Sequence, residues 1–387
     1  MNTCFQQLRL PIRPLARFGR ISSVYRASTG VALRGQQPKT RSYSQYRFSE
    51  QRFQQQNDEP EYSPDGPGGK RVLLGRPILW ALAFTTGTFY LCSSHYVSHK
   101  EKLLQSTNSI WDLLGLRSQL DGGDDQIWID DANVQGLVGH AYRAYSESHA
   151  RMVRRIARLP DWVPYELKRT AVAFSGTWYQ LSRGERCVYT IAAVNAIVFG
   201  MWQIPRLLPF MTRSFLHNPA SGLSYTMLTS SFSHSELWHF AFNSIALVSF
   251  GIPVANAMGA EQFTAFYLSA GVLSSLASHL LAPLRPALIL PSLGASGAVY
   301  GVLGATMMMF PNSHVALIFL PFIPISISHA FTALLAYDFA GAVLGWRTFG
   351  HIAHLSGGLY GVGYLKYGTD YWKSLVNKIS SYRQSAK

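Results

Sequence analysis

Apolar and polar positions fall into long blocks along this chain. Residues 1–70 and 97–186 are polar, and between them Pro77 to Tyr96 runs about twenty residues without a formal charge. A stretch of that length, wound as a helix, crosses a bilayer. From Cys187 most of the chain is apolar, broken only by short polar loops. The blocks predict spans near 187–204, 237–258, 262–284, 294–310, 325–345 and 349–366. Pro321 and Pro324 leave the fifth start open, as early as Val315 or as late as 325. The pattern therefore predicts an all-α membrane protein: one isolated span, a long loop, then six spans in a tight bundle, a 1+6 arrangement. No internal repeat is visible, inverted or otherwise.

The remaining segments are residues 1–70, a polar connecting segment 97–186, the apolar core 187–366 and a basic C-terminal tail 367–387. Within 97–186, the stretch near Tyr142–Arg158 has an amphipathic look and is expected to be helical, in solution or on the membrane surface. Pro64 to Lys70 is rich in Pro and Gly and reads as a linker.

Charge changes the picture at one end only. The formal charge of the 387 residues is +14, yet Met1 to Ser49 alone carries nine Arg or Lys and no acid. Without that segment, 25 basic residues face 20 acidic ones, too even a balance for a nucleic-acid surface. An Arg-rich, Ser-containing, acid-free N-terminus without a secretory apolar core reads as a mitochondrial transit peptide. Arg41-Ser42-Tyr43-Ser44 resembles a matrix-peptidase site. Cys4, Cys92 and Cys187 have neither metal-ligand spacing nor a disulfide framework.

Ionisable groups inside a bilayer are costly, so each is a functional candidate. The core spans hold His239, His279, His329, Asp338, His351 and His354. His239 and Asn243 are four apart, which places them on one helix face. Ser296 lies in Gly294-Ala295-Ser296-Gly297-Ala298-Val299-Tyr300-Gly301, at the expected first turn of a span, where unpaired backbone N–H groups gather. That position also suits an ordinary capping serine, and small residues there serve helix packing. Gly297 and Gly301 share their spacing with Gly357 and Gly361. If those two faces meet, His354 comes within reach of Ser296, as a nucleophile and its base require.

Taken in chain order, His234-x4-His239-x3-Asn243, Gly294-x-Ser296-Gly297 and Ala353-His354-x-x-Gly357 resemble the rhomboid intramembrane serine proteases. The extra span and transit-like N-terminus are similar to the mitochondrial presenilin-associated rhomboid-like branch. The resemblance implies a Ser296–His354 dyad without a third acid. It implies an oxyanion held by the Ser296 N–H with His239 and Asn243, and Tyr300 stacked on the histidine. It further implies no cofactor, and substrates that are transmembrane proteins of the mitochondrial inner membrane, including dynamin-like fusion GTPases and presequence-anchored proteins. The sequence departs from the bacterial pattern at Tyr225-Thr226, where many relatives carry Trp-Arg.

Blander readings stand beside these. His234 is expected to be structural, His279 and His329 to lie near helix ends or be satisfied by neighbours, and Asp338 to make an interhelical hydrogen bond. A metal site is not expected, since His351 and His354 lack the His-Glu-x-x-His pattern. The competing functions are a catalytically inactive rhomboid-like binding factor and a transporter. An import signal that draws the N-terminus into the matrix would place 97–186 and the C-terminus in the intermembrane space.

Overall fold

The computed structural model describes residues 72–113, 147–284, 291–317, 320–346 and 350–386; the expected transit peptide, its cleavage motif and the linker lie outside the described residues. Helix α1, Gly75–Leu113, contains the isolated span and continues well past Tyr96. Its 39 residues extend about 58 Å at 1.5 Å per residue, more than a bilayer's thickness. The connecting segment is therefore not featureless. It holds a helix over 147–157, here α2, inside the expected amphipathic stretch, and α3, Tyr165–Gln180.

The core begins with α4, Arg183–Trp202. Ser182 and Glu185 start it with a reciprocal cap, in which each side chain accepts from the other's backbone N–H, at 3.0 and 2.7 Å. Pro205 then turns the chain into a short helix bent 96° from α4. Helix α5, Leu237–Met258, and α6, Ala260–Leu281, are joined at Gly259, whose positive φ of 87° a side chain would resist. Next come α7, Ser296–Met309, then α8, Ile327–Leu344, and α9, His351–Gly363. Three described helical segments are long and apolar enough to cross a membrane, Leu237–Met258, Ala260–Leu284 and Ile327–Leu344, and the bent α4 pair makes up to four.

Helix α7 is too short to span alone, and nine of its 14 residues are buried. It is the centre of the bundle, flanked by α5, α6 and α9. Phe263, Phe266, Ala270, Ala298 and Val302 form the tightly buried heart of the core. Lipid tails are as apolar as these side chains, so close packing rather than escape from water holds such helices together. Helix α1 joins this core through Phe89, whose ring lies 5.8 Å from Tyr364 and 6.2 Å from Trp372.

One expectation needs correction. The chain is not wholly α-helical: β1, His314–Leu317, pairs antiparallel with β2, Leu320–Ser326, just before α8. Pro321 and Pro324 cannot donate to a helical ladder, and this settles the open start of the fifth span in favour of the later one. The basic C-terminal tail, for which no structure was expected, is helical. It runs through a wider turn, Tyr364–Gly368, into α10, Thr369–Ser385, which packs against α1 by Trp372.

Candidate functional site

The approach to Ser296 is pinned by backbone geometry. Ser292 exchanges two 2.9 Å hydrogen bonds with His217, and the Gly294 N–H donates to the Ser230 carbonyl at 2.9 Å. The Ala295 N–H donates to His234 Nε2 at 3.3 Å, so His234 braces the loop, as expected of it. Gly294 has φ 136°, and a Cβ there would lie 2.7 Å from the His239 ring. Only glycine satisfies both conditions. Ser296 is then the first residue of α7, where the helix leaves backbone N–H groups unpaired and the dipole is positive.

The two glycine faces do meet. A methyl group on Gly357 would overlap the Gly297 carbonyl, and one on Gly361 would overlap the Gly301 carbonyl. That seam draws α7 and α9 together and brings His354 Nε2 to 2.9 Å from Ser296 Oγ. The Tyr300 ring, one turn along α7, stacks on the His354 ring at 4.3 Å and 9°. His354 is buried, which shields the pair from bulk water.

Asp338 corrects the expectation of a histidine without an acid. Its Oδ1 accepts from His354 Nδ1 at 3.0 Å and from His351 Nδ1 at 2.7 Å. The interhelical hydrogen bond was expected, but its partner is the histidine that faces Ser296. The carboxylate is 1% exposed, where an unpaired charge would be very costly. A proton on Nδ1 of His354 leaves Nε2 bare and able to accept from Ser296, a tautomer assigned from the hydrogen-bond network. The sequence marks Asp338 only as an ionisable residue within a span. Its partners sit 13 and 16 residues away, beyond a loop, and no helical periodicity links such positions.

His239 and Asn243 stand on the first two turns of α5. Asn243 Nδ2 donates to the His239 carbonyl at 2.9 Å, which leaves its second amide hydrogen available. The His234 and His239 rings meet edge to face at 5.0 Å. His239 thus packs over Gly294, two residues from the serine. His329 is exposed near the start of α8, while His279 is buried in the last turn of α6 and belongs to a different cluster. A hydroxyl hydrogen-bonded to a buried imidazole, beside unpaired N–H groups, can attack a carbonyl and stabilise the oxyanion that results.

Residues 221–369 match the family model of the rhomboid domain. The chain is 45% identical over 199 residues to the rat presenilin-associated rhomboid-like protein, mitochondrial, covering 51% of this chain and 52% of that protein. It is 37% identical over 188 residues to Rhomboid protein 1, mitochondrial, of Saccharomyces cerevisiae, covering 48% and 54%. To the Rhomboid protease GluP of Bacillus subtilis it is 35% identical over 141 residues, covering 36% and 26%. The chain thus aligns with about half the length of its mitochondrial relatives.

Proposed function

We propose that residues 221–369, which match the rhomboid domain, form a protease core of the presenilin-associated rhomboid-like kind, and that the protein is an intramembrane serine endopeptidase of the mitochondrial inner membrane. The observation that carries the reading is the 2.9 Å contact between Ser296 Oγ and His354 Nε2 at the N-terminus of a buried helix. In this reading Ser296 Oγ bonds to the scissile carbonyl carbon and its proton passes to His354 Nε2. The negative oxygen is held by the Ser296 N–H, His239 and Asn243. His354 then protonates the departing amine nitrogen as the C–N bond breaks, leaving an acyl-enzyme. Water, deprotonated by His354, then attacks the acyl carbon, the ester bond to Ser296 Oγ breaks, and His354 returns the proton to Oγ as the new carboxylate leaves. Asp338 stays ionised throughout and orients the imidazole, so the dyad works with an acid behind it.

The substrates are transmembrane segments. A peptide bond inside a helix is shielded, so cleavage favours segments weakened by Gly or Pro near the cut. Dynamin-like fusion GTPases and presequence-anchored proteins of the inner membrane fit that class. In the full arrangement α1 is the extra span of a 1+6 protein, and α4 to α9 make the six-helix core. An inactive binding factor has no need of a bare histidine nitrogen aimed at a serine. A transporter path would be lined by charge, whereas Asp338 is consumed by two histidines.

The test is cleavage of candidate inner-membrane proteins in cells carrying Ser296→Ala or His354→Ala, with fluorophosphonate labelling of the purified protein. Each variant is expected to abolish cleavage at near-normal abundance, and Ser296→Ala to abolish labelling. Cleavage that persists in Ser296→Ala would overturn the reading.

A further inference from the structure

Two buried histidines stand outside the site and are not used by the mechanism above. His217 and His279 are each 2% exposed. Their rings lie 5.2 Å apart, with His217 Nε2 3.1 Å from His279 Nδ1. His279 Nε2 is 2.9 Å from the carbonyl oxygen of Leu73, two residues before α1. His217 Nδ1 is 2.8 Å from the Thr226 hydroxyl.

A carbonyl only accepts, so His279 carries its proton on Nε2, and its bare Nδ1 accepts from His217 Nε2–H. Two imidazoles thus link the foot of the extra helix, the end of α6 and the helical turn that begins at Thr226, whose hydroxyl also donates to the Leu223 carbonyl. His217 is also the residue whose backbone exchanges two hydrogen bonds with Ser292, four residues before Ser296. The chain of bonds therefore runs from Leu73 through both rings to the segment that delivers the nucleophile. The neighbouring packing follows the same route, with Ala81 of α1 clustered against Met227, Val272 and Leu276.

We infer that His217 and His279 are positioning residues for Ser296, and that the Leu73 carbonyl anchors them, so the main chain entering the extra helix helps to place the segment that leads into Ser296. The inference rests on the protease reading for its kinetic consequence but not for its structural one. A shift of about 1 Å in the serine costs on the order of 100-fold in rate, and loss of this bracing acts through such shifts. Substrate contacts are untouched, so the effect falls on kcat rather than KM.

The full-length protein is reconstituted in liposomes as the parent and as Ser296→Ala, His217→Leu, His279→Leu, His279→Asn and His329→Leu. Cleavage of a fluorogenic transmembrane peptide gives kcat and KM, and amide hydrogen exchange reports on residues 292–295. His217→Leu and His279→Leu are expected to lower kcat by about 10- to 100-fold with KM within about twofold, and to speed exchange at 292–295. His279→Asn keeps an acceptor towards His217 and should recover part of kcat. His329→Leu, outside the relay, should match the parent. Unchanged exchange at 292–295, or a kcat loss shared by His329→Leu, would overturn the inference. Should the parent and Ser296→Ala cleave alike, the protease reading falls, and exchange alone then decides the relay.

Discussion

Gly357 rests against the carbonyl of Gly297, with no room for a methyl group between them. This contact lies beside both chemical partners, since Gly297 follows Ser296 directly and Gly357 is one turn past His354. The 2.9 Å spacing of Ser296 Oγ and His354 Nε2 depends on how closely these two backbones approach.

Gly357→Ala should therefore separate α7 from α9. The expected result is at least a tenfold loss of kcat and a lowered unfolding temperature, because the overlapped atom is backbone and cannot swing aside. Gly363→Ala is the control, since nothing lies within 4 Å of a Cβ there. Peptide cleavage and thermal unfolding in detergent check both.

Asn243 has one amide hydrogen committed to the His239 carbonyl and one to spare. Asn243→Ala should lower kcat by up to about 100- to 1000-fold, the range for one oxyanion donor, with little change in substrate affinity. A variant that loses affinity but keeps its turnover would give Asn243 a structural role instead.

Asp338 and His351 should separate by kinetics. Asp338→Asn removes the charge that holds His354 in its tautomer, and kcat should fall by at least about tenfold. His351→Ala breaks a buried bond to the same oxygen and should cost about 2 kcal/mol of stability, with kcat kept within about tenfold. Turnover and denaturation measured on both variants distinguish the two roles.

The orientation of the chain is testable through its last helix. If α1 and α4 to α9 make the seven crossings of the proposed 1+6 arrangement, an N-terminus in the matrix puts the end of α10 in the intermembrane space, on the side where α1 leaves the membrane. The basic residues of 367–387 would favour the matrix under the positive-inside rule, but the import signal expected at the N-terminus would override it by fixing the first span. A C-terminal tag should be digested in mitoplasts with an intact inner membrane. Resistance until that membrane is dissolved would mean that the chain crosses the membrane an even number of times.

The sequence alone determined where the apolar helices lie and which residues could react. Span length and helical spacing are local properties, so Ser296, His354, His239 and Asn243 could be placed early in their helices from letter order alone. The glycine spacings even indicated which faces could meet. Tertiary structure decided what those residues touch. Asp338 became His354's partner because α8 and α9 fold back on each other across a loop. The prolines before α8 became a hairpin by pairing with β1, and the C-terminal tail became a helix by packing on α1. His217 and His279 lie 62 residues apart, and neither had a neighbour in sequence to announce the other. In lipid one apolar surface serves as well as another, so hydropathy finds the helices but cannot pair them. Close backbone approach and buried polar contacts make that choice, and both exist only once the chain has folded.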